Sequence, residues 1–140
     1  MKIFLALVVA VTAGFFSIGA FAEPTSQPTT QPDEKITVPE ADLARIREAA
    51  IFAETANAAG LDWKPYYSAF MKLERRKDWT DKQIKFIGMY FGAIQGYFED
   101  ELRQKKYTDD EIRTLKEKLE KETARLNKEA TTRPYRKRSE

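Results

Sequence analysis

Apolar side chains recur every three or four residues through the second half of the chain, which is the spacing that places them on one side of an α-helix. The clearest run comprises Ile84, Ile87, Phe91, Ile94 and Phe98. An adjoining stripe comprises Phe86, Tyr90 and Tyr97. Because the two stripes together cover more than half of the circumference, we expect this helix to be the central one of a bundle.

Helix starts are marked by capping boxes, in which a threonine hydroxyl accepts the amide of the third residue on and a Glu or Gln side chain accepts the threonine amide. The pairs are Thr37 with Glu40, Thr80 with Gln83, and Thr108 with Glu111. Asp62 with Pro65 marks a further start, and Gly60 marks the end of the helix before it. These signals predict an all-α fold, a small bundle with helices over residues 38 to 59, 63 to 78, 80 to 106 and 108 to 130.

The first 22 residues differ in kind from the rest. Lys2 precedes an uncharged stretch that ends in Ala20, Phe21 and Ala22, the pattern of a signal peptide cleaved after Ala22. This predicts a secreted or periplasmic protein. The alternative is an uncleaved membrane anchor, because about 20 apolar residues can span a bilayer.

The segment after the predicted signal peptide carries prolines at positions 24, 28 and 32 among threonine and glutamine. Such a composition has little apolar surface to bury, so we expect a disordered linker over residues 23 to 36. The linker is either a solvated leader or a tether that holds the helical domain, residues 37 to 130, away from a surface.

Residues 131 to 140 are expected to form a basic flexible tail. Its positive charges are Arg133, Arg136, Lys137 and Arg138. Two interpretations stay open for it: a frayed soluble end, or a segment that makes peripheral contact with an anionic envelope surface.

Composition excludes most familiar catalytic chemistry. The chain has no cysteine and no histidine, so thiolate nucleophiles, disulfides and the usual acid or base at neutral pH are missing. Acidic clusters at residues 99 to 101 and 109 to 111 are explained by intrahelical ion pairs and by the helix dipole. With 24 basic and 22 acidic residues there is no strong charge to attract nucleic acid. We therefore expect a non-enzymatic protein with no cofactor, no metal site and no nucleic-acid partner.

Three glycines, Gly88, Gly92 and Gly96, are spaced by four inside the third predicted helix. Each costs about 1 kcal/mol relative to alanine in a helix interior. We expect them to form a strip without side chains that packs closely against the alanine-rich first helix. One alternative is a shallow groove that admits a peptide or an acyl chain, and another is membrane association of the segment from Phe86 to Phe98, which is too short to span a bilayer.

Aromatic and basic side chains are concentrated in the second predicted helix, which suggests a surface for a client protein. This surface comprises Trp63, Tyr66, Tyr67, Phe70, Lys72, Arg75, Arg76 and Lys77.

Two pentapeptides, Trp79-Thr80-Asp81-Lys82-Gln83 and Tyr107-Thr108-Asp109-Asp110-Glu111, carry a further signal. They resemble the Leu-Thr-x-x-Gln signature that occurs twice in the Spy/CpxP family of small periplasmic helical proteins. That resemblance implies a chaperone or envelope-stress regulator, a cradle-like homodimer, and client binding on a concave apolar and basic surface. The segment from Phe86 to Gly92 is also similar to the aromatic-glycine helix of small exported immunity proteins.

The leading hypothesis is therefore an exported, chaperone-like or envelope-stress binding protein. The alternative is a specific inhibitor or immunity protein that caps one partner protein. An open concave dimer favours the first, and a compact monomer with one exposed apolar patch favours the second.

Overall fold

The computed structural model describes residues 36 to 134, and this part of the chain consists of four α-helices without a strand. The helices are α1 Glu40–Ala58, α2 Lys64–Glu74, α3 Asp81–Gln104 and α4 Asp109–Thr132. α1 packs chiefly along α3, and α2 packs chiefly along α4. The predicted all-α class is confirmed. The predicted signal peptide, nearly all of the linker, and the tail beyond residue 134 lie outside the described residues.

The two boxes at the starts of α3 and α4 are confirmed. The Thr80 hydroxyl accepts the Gln83 amide at 3.2 Å, and Gln83 Oε1 accepts the Thr80 amide at 2.9 Å. Thr108 and Glu111 repeat the arrangement at 3.3 and 2.9 Å. The backbone and side-chain hydrogen bonds from Thr108 also lower the pKa of Glu111. Local sequence therefore fixes where both long helices begin.

The predicted start of the first helix is wrong. α1 begins at Glu40 after Pro39, and no side chain caps it. A residue that precedes proline is disfavoured in helical conformation, so Val38 cannot belong to the first turn. The carbonyl of Thr37 instead accepts a hydrogen bond from Gln83 Nε2 at 2.7 Å, which ties the segment before α1 to the start of α3.

The turn between α1 and α2 follows the sequence closely. Gly60 takes a φ of 77°, which suits glycine, and its amide donates to the carbonyl of Asn57 at 2.9 Å. The amide of Leu61 donates to the carbonyl of Ala56 at 2.9 Å, completing a Schellman motif. Asp62 Oδ1 accepts the amide of Lys64 at 3.2 Å, but α2 begins at Lys64 with Trp63 as its N-cap, one residue later than expected.

The core is built from large side chains of α2, α3 and α4 and small ones of α1. α1 contributes mainly alanines, while α3 contributes Ile87 and Phe91. The expectation that α3 is the central helix is wrong, because one side of it is exposed to solvent. α4 is better integrated than a peripheral helix, since Leu119, Leu126 and Ala130 are all buried. Within residues 36 to 134, no helix has both the length and the apolar character that spanning a membrane requires.

Candidate binding surfaces

One side of α3 is exposed along more than three turns, and we call it the outer face of α3. It comprises Lys85, Met89, Gly92, Ala93, Gly96 and Tyr97. Met89 and Tyr97 are 75% and 76% exposed, which is unusual for large apolar side chains. At 1.5 Å per residue the outer face is about 18 Å long. It carries a single charge, that of Lys85.

Aromatic rings extend the apolar area along the border of the outer face. Phe86 and Tyr90 are half-buried and stack with ring centroids 5.9 Å apart. The ring of Tyr97 meets that of Phe98 edge-on at 5.0 Å. These contacts hold the rings in defined orientations, so the border is a shaped surface rather than a set of loose side chains.

The glycines do not receive α1, and the predicted close helix packing is wrong. A Cβ atom placed on Gly92 or Gly96 would meet nothing within 4 Å. At Gly88 such an atom would meet side-chain atoms of α2, the Tyr67 hydroxyl at 3.4 Å and Met71 at 3.8 Å. The reason is that α3 turns Ile87 and Phe91 toward the core, which leaves Gly92 and Gly96 on the exposed side.

The client surface predicted on α2 is not assembled as one surface. Tyr66 and Phe70 are only 7% and 2% exposed and belong to the core. Trp63 and Tyr67 are half-buried, and their rings meet edge-on at 5.9 Å. α2 is only 11 residues long, and such a short helix depends on packing against its neighbours. Its aromatic side provides that packing and anchors it to the bundle. Of the four basic residues in the prediction, Lys72 and Arg75 are exposed and Arg76 and Lys77 are half-buried.

A charge cluster that the sequence did not reveal joins α1 to the end of α2. The Glu74 carboxylate is fully buried and accepts two hydrogen bonds from Arg45, both at 2.9 Å. The Trp79 indole donates to Glu74 at 3.1 Å, and the Lys77 ammonium lies 3.2 Å from it. Asp42 pairs with Arg45 at 3.0 Å and with Lys77 at 3.6 Å. Two acids thus meet two bases.

The electrostatics of this cluster indicate a role in holding the helices together rather than in proton transfer. Burial by itself would lower the pKa of Arg45, but the hydrogen bonds and charges of Glu74 and Asp42 outweigh it and raise that pKa. Every charged member is paired within the cluster, so it offers no free acid or base for proton transfer. The cluster is a structural joint between helices.

A groove of about 470 Å³ lies among α1, α2 and α4, and sequence analysis missed it because three helices supply its walls. Phe52, Tyr66 and Phe70 lie among its aromatic lining residues, and the rings of Phe52 and Tyr66 meet edge-on at 5.2 Å. Burial, and secondarily the charge of Glu122, raises the pKa of Tyr66 to about 12. Both acidic and basic side chains line the groove, among them Lys118.

The end of α4 reaches into the segment predicted as a tail. The helix continues through Thr132, and exposed Arg133 donates to Glu129 at 2.9 Å. Arg136, Lys137 and Arg138 lie outside the described residues. Among residues 36 to 134, no group of three or more acidic, histidine or cysteine side chains is placed to hold a metal ion.

Comparison of the chain with protein-family models, with curated proteins and with solved structures finds no match. The geometry of the described helices is therefore what bears on function.

Proposed function

We propose that the chain is an exported, non-enzymatic binding protein that recognises a protein partner through the outer face of α3. The observation that carries this proposal is the exposure of Met89 and Tyr97 beside two bare glycines, Gly92 and Gly96. Each glycine costs the helix about 1 kcal/mol, and neither receives a neighbour within the described chain. A partner backbone seated on the glycines gives that cost a purpose.

The outer face has the shape and chemistry of a contact site. Between Met89 and Tyr97 the missing side chains leave a shallow path along the helix backbone. The thioether of Met89 adapts to irregular apolar surfaces, and the Tyr97 ring offers apolar area with a polar tip. We accordingly expect the partner segment to be apolar and to carry small side chains where it crosses the glycines.

Export is the second part of the proposal and is supported by residues 1 to 22. Lys2, the uncharged stretch and the small residues Ala20 and Ala22 form the signal-peptide pattern. Such a protein works in the periplasm or outside the cell. Mass determination of the protein recovered from the producing cell tests this: the mature chain is expected to begin at Glu23, and retention of Met1 would contradict it.

An exposed apolar face on α3, beside α2 aromatics that are buried or half-buried, favours an inhibitor-like or immunity-like protein that caps one partner. A chaperone-like or envelope-stress role is the second candidate. The observation that favours it is the combination of Met89 with bare glycines. A flexible thioether and a surface without projecting side chains can fit partners of different shape.

Site-specific photo-crosslinking separates these outcomes. A photoreactive phenylalanine derivative placed at Tyr97 samples the outer face, and the same group at exposed Lys121 on α4 is the matched control. One discrete product at position 97, absent at position 121, supports a single-partner protein. A ladder of products at position 97, together with suppressed aggregation of unrelated proteins, supports the chaperone-like role. Identical products at both positions contradict the proposal.

A further inference from the structure

Opposite charges lie at the two ends of the outer face of α3. Lys85 is exposed at one end, and Asp100 is exposed just beyond the other, two turns after Ala93 and on the same side of the helix. Within residues 36 to 134 neither charge has an ion-pair partner. The neighbouring acid differs, since Glu99 pairs with Arg103 at 2.6 Å. Two unpaired charges of opposite sign therefore lie about 22 Å apart along one side of α3.

A projecting side chain and a gap lie between these charges. Met89 is strongly exposed and stands out from the face. Gly96 is also exposed, and a Cβ atom placed on it would meet nothing within 4 Å. Met89 follows Lys85 by four residues, and Asp100 follows Gly96 by the same number. The apolar pair and the charged pair therefore share one midpoint along the helix, between residues 92 and 93.

These spacings make the face complementary to itself when it is turned end for end. If two copies of α3 run antiparallel about a two-fold axis at this midpoint, Met89 of each copy lies over Gly96 of the other. The thioether then enters the gap as a knob enters a hole. Lys85 of each copy lies opposite Asp100 of the other, so both charges gain a partner. In a parallel pair each residue would meet its own kind, and both matches would be lost.

We propose that the outer face of α3 binds the same face of a second copy of the chain, giving an antiparallel two-fold dimer. This inference rests on the proposed function, because it names an occupant for the same face. The contact is one helix face about 18 Å long, which is at the small end of specific protein interfaces. We therefore expect a Kd of about 10 to 100 µM. On dilution the copies separate and leave the face open to another protein.

Analytical ultracentrifugation of the purified protein, from about 1 µM to 1 mM, measures the dimer and its dependence on charge. Lys85→Glu makes both charged pairs of the dimer repulsive, so we expect the Kd to rise about tenfold, and Asp100→Lys should do the same. The double variant Lys85→Glu with Asp100→Lys exchanges the two charges and should bring the Kd back to within about threefold of the original. Lys121→Glu on α4 is the matched control and leaves the Kd unchanged.

Gly96→Leu tests the apolar pair separately. A leucine side chain fills the gap that Met89 of the other copy would enter, so we expect the Kd to rise at least about tenfold. The substitution should not disturb the fold, because a Cβ atom at Gly96 meets nothing within 4 Å. Circular dichroism and urea unfolding of the variant check this.

A protein that stays monomeric up to about 1 mM overturns the inference. So does a dimer whose Kd ignores the single charge changes or is not restored in the double variant. Crosslinking at position 97 separates this inference from the proposed function. A product with another protein, from a chain that stays monomeric, contradicts the dimer alone. A product of twice the chain's mass, with no other product, supports the dimer and contradicts the inhibitor-like and chaperone-like roles.

Discussion

The aromatic side of α2 and the outer face of α3 both carry large apolar side chains, but the structure covers the first and exposes the second. Tyr66 and Phe70 on α2 are buried, whereas Met89 and Tyr97 on α3 are exposed. α2 has 11 residues, and its aromatic side is buried or half-buried in the bundle. α3 has 24 residues, and Met89 and Tyr97 stay exposed although α1 and side chains of α2 both contact this helix. The difference teaches that the longer helix keeps apolar surface exposed, and this is the surface that we propose for a partner.

The sharpest contrast between the two regions is in stability. Phe70→Ala removes a buried ring whose centroid lies 5.4 Å from that of Phe91. We therefore expect the substitution to lower the free energy of unfolding by about 3 to 5 kcal/mol. Tyr97→Ala removes an exposed ring and should change it by less than about 1 kcal/mol. Urea unfolding measures both. Equal losses would mean that the outer face is covered in the folded chain.

The charge cluster behind α2 has no counterpart on the outer face. Glu74→Ala leaves Arg45 and Lys77 without their buried carboxylate, and we expect a loss of about 3 to 5 kcal/mol in urea unfolding. Glu99→Ala is the control, because it breaks an exposed pair with Arg103 and should cost about 1 kcal/mol or less. A small effect at Glu74 would show that the cluster does not hold α2 in place.

Tyr66 makes the buried side of α2 sensitive to alkaline pH. Its pKa is about 12 in the folded chain against an ordinary 10.0, so above pH 10 the unfolded chain releases a proton that the folded chain keeps. Stability from this group is therefore complete below pH 10 and is lost as pH rises toward 12. The loss amounts to about 2 to 3 kcal/mol. Tyr66→Phe is expected to remove this part of the pH dependence, and an unchanged profile in the variant would contradict it.

The glycines of the outer face give the smallest effect and the most specific one. Gly92→Ala combined with Gly96→Ala should stabilise α3 by about 1 to 2 kcal/mol, because the new methyl groups meet nothing. The same double variant should lose crosslinking at position 97, since the path along the helix backbone is filled. Gly88→Ala is the control, where contact with Tyr67 limits the gain. Destabilisation by the double change would contradict the exposure of the outer face.

Sequence was sufficient where a signal and its consequence lie within a few residues. The boxes at Thr80 and Thr108 and the turn at Gly60 are of this kind, because each hydrogen bond closes over three to five residues. The same reasoning failed at Thr37, where Pro39 imposes its own backbone geometry.

The candidate sites depend on distant parts of the chain and were harder to predict. Arg45 and Glu74 are 29 residues apart, and no periodic pattern links them. A helical wheel shows that α3 has apolar residues on most sides, but it does not show which sides α1 will leave bare. The exposure of Gly92 and Gly96 therefore emerges only from the packing of the helices.

Oxidation of the two methionines in the described chain tests the exposure of the outer face most directly. Met89 is 75% exposed on that face, whereas Met71 on α2 is 5% exposed. Treatment of the dilute, folded protein with hydrogen peroxide, followed by peptide mass spectrometry, is expected to convert Met89 to its sulfoxide well before Met71. Equal rates, or protection of Met89, would contradict the claim that this side of α3 is free to receive a partner.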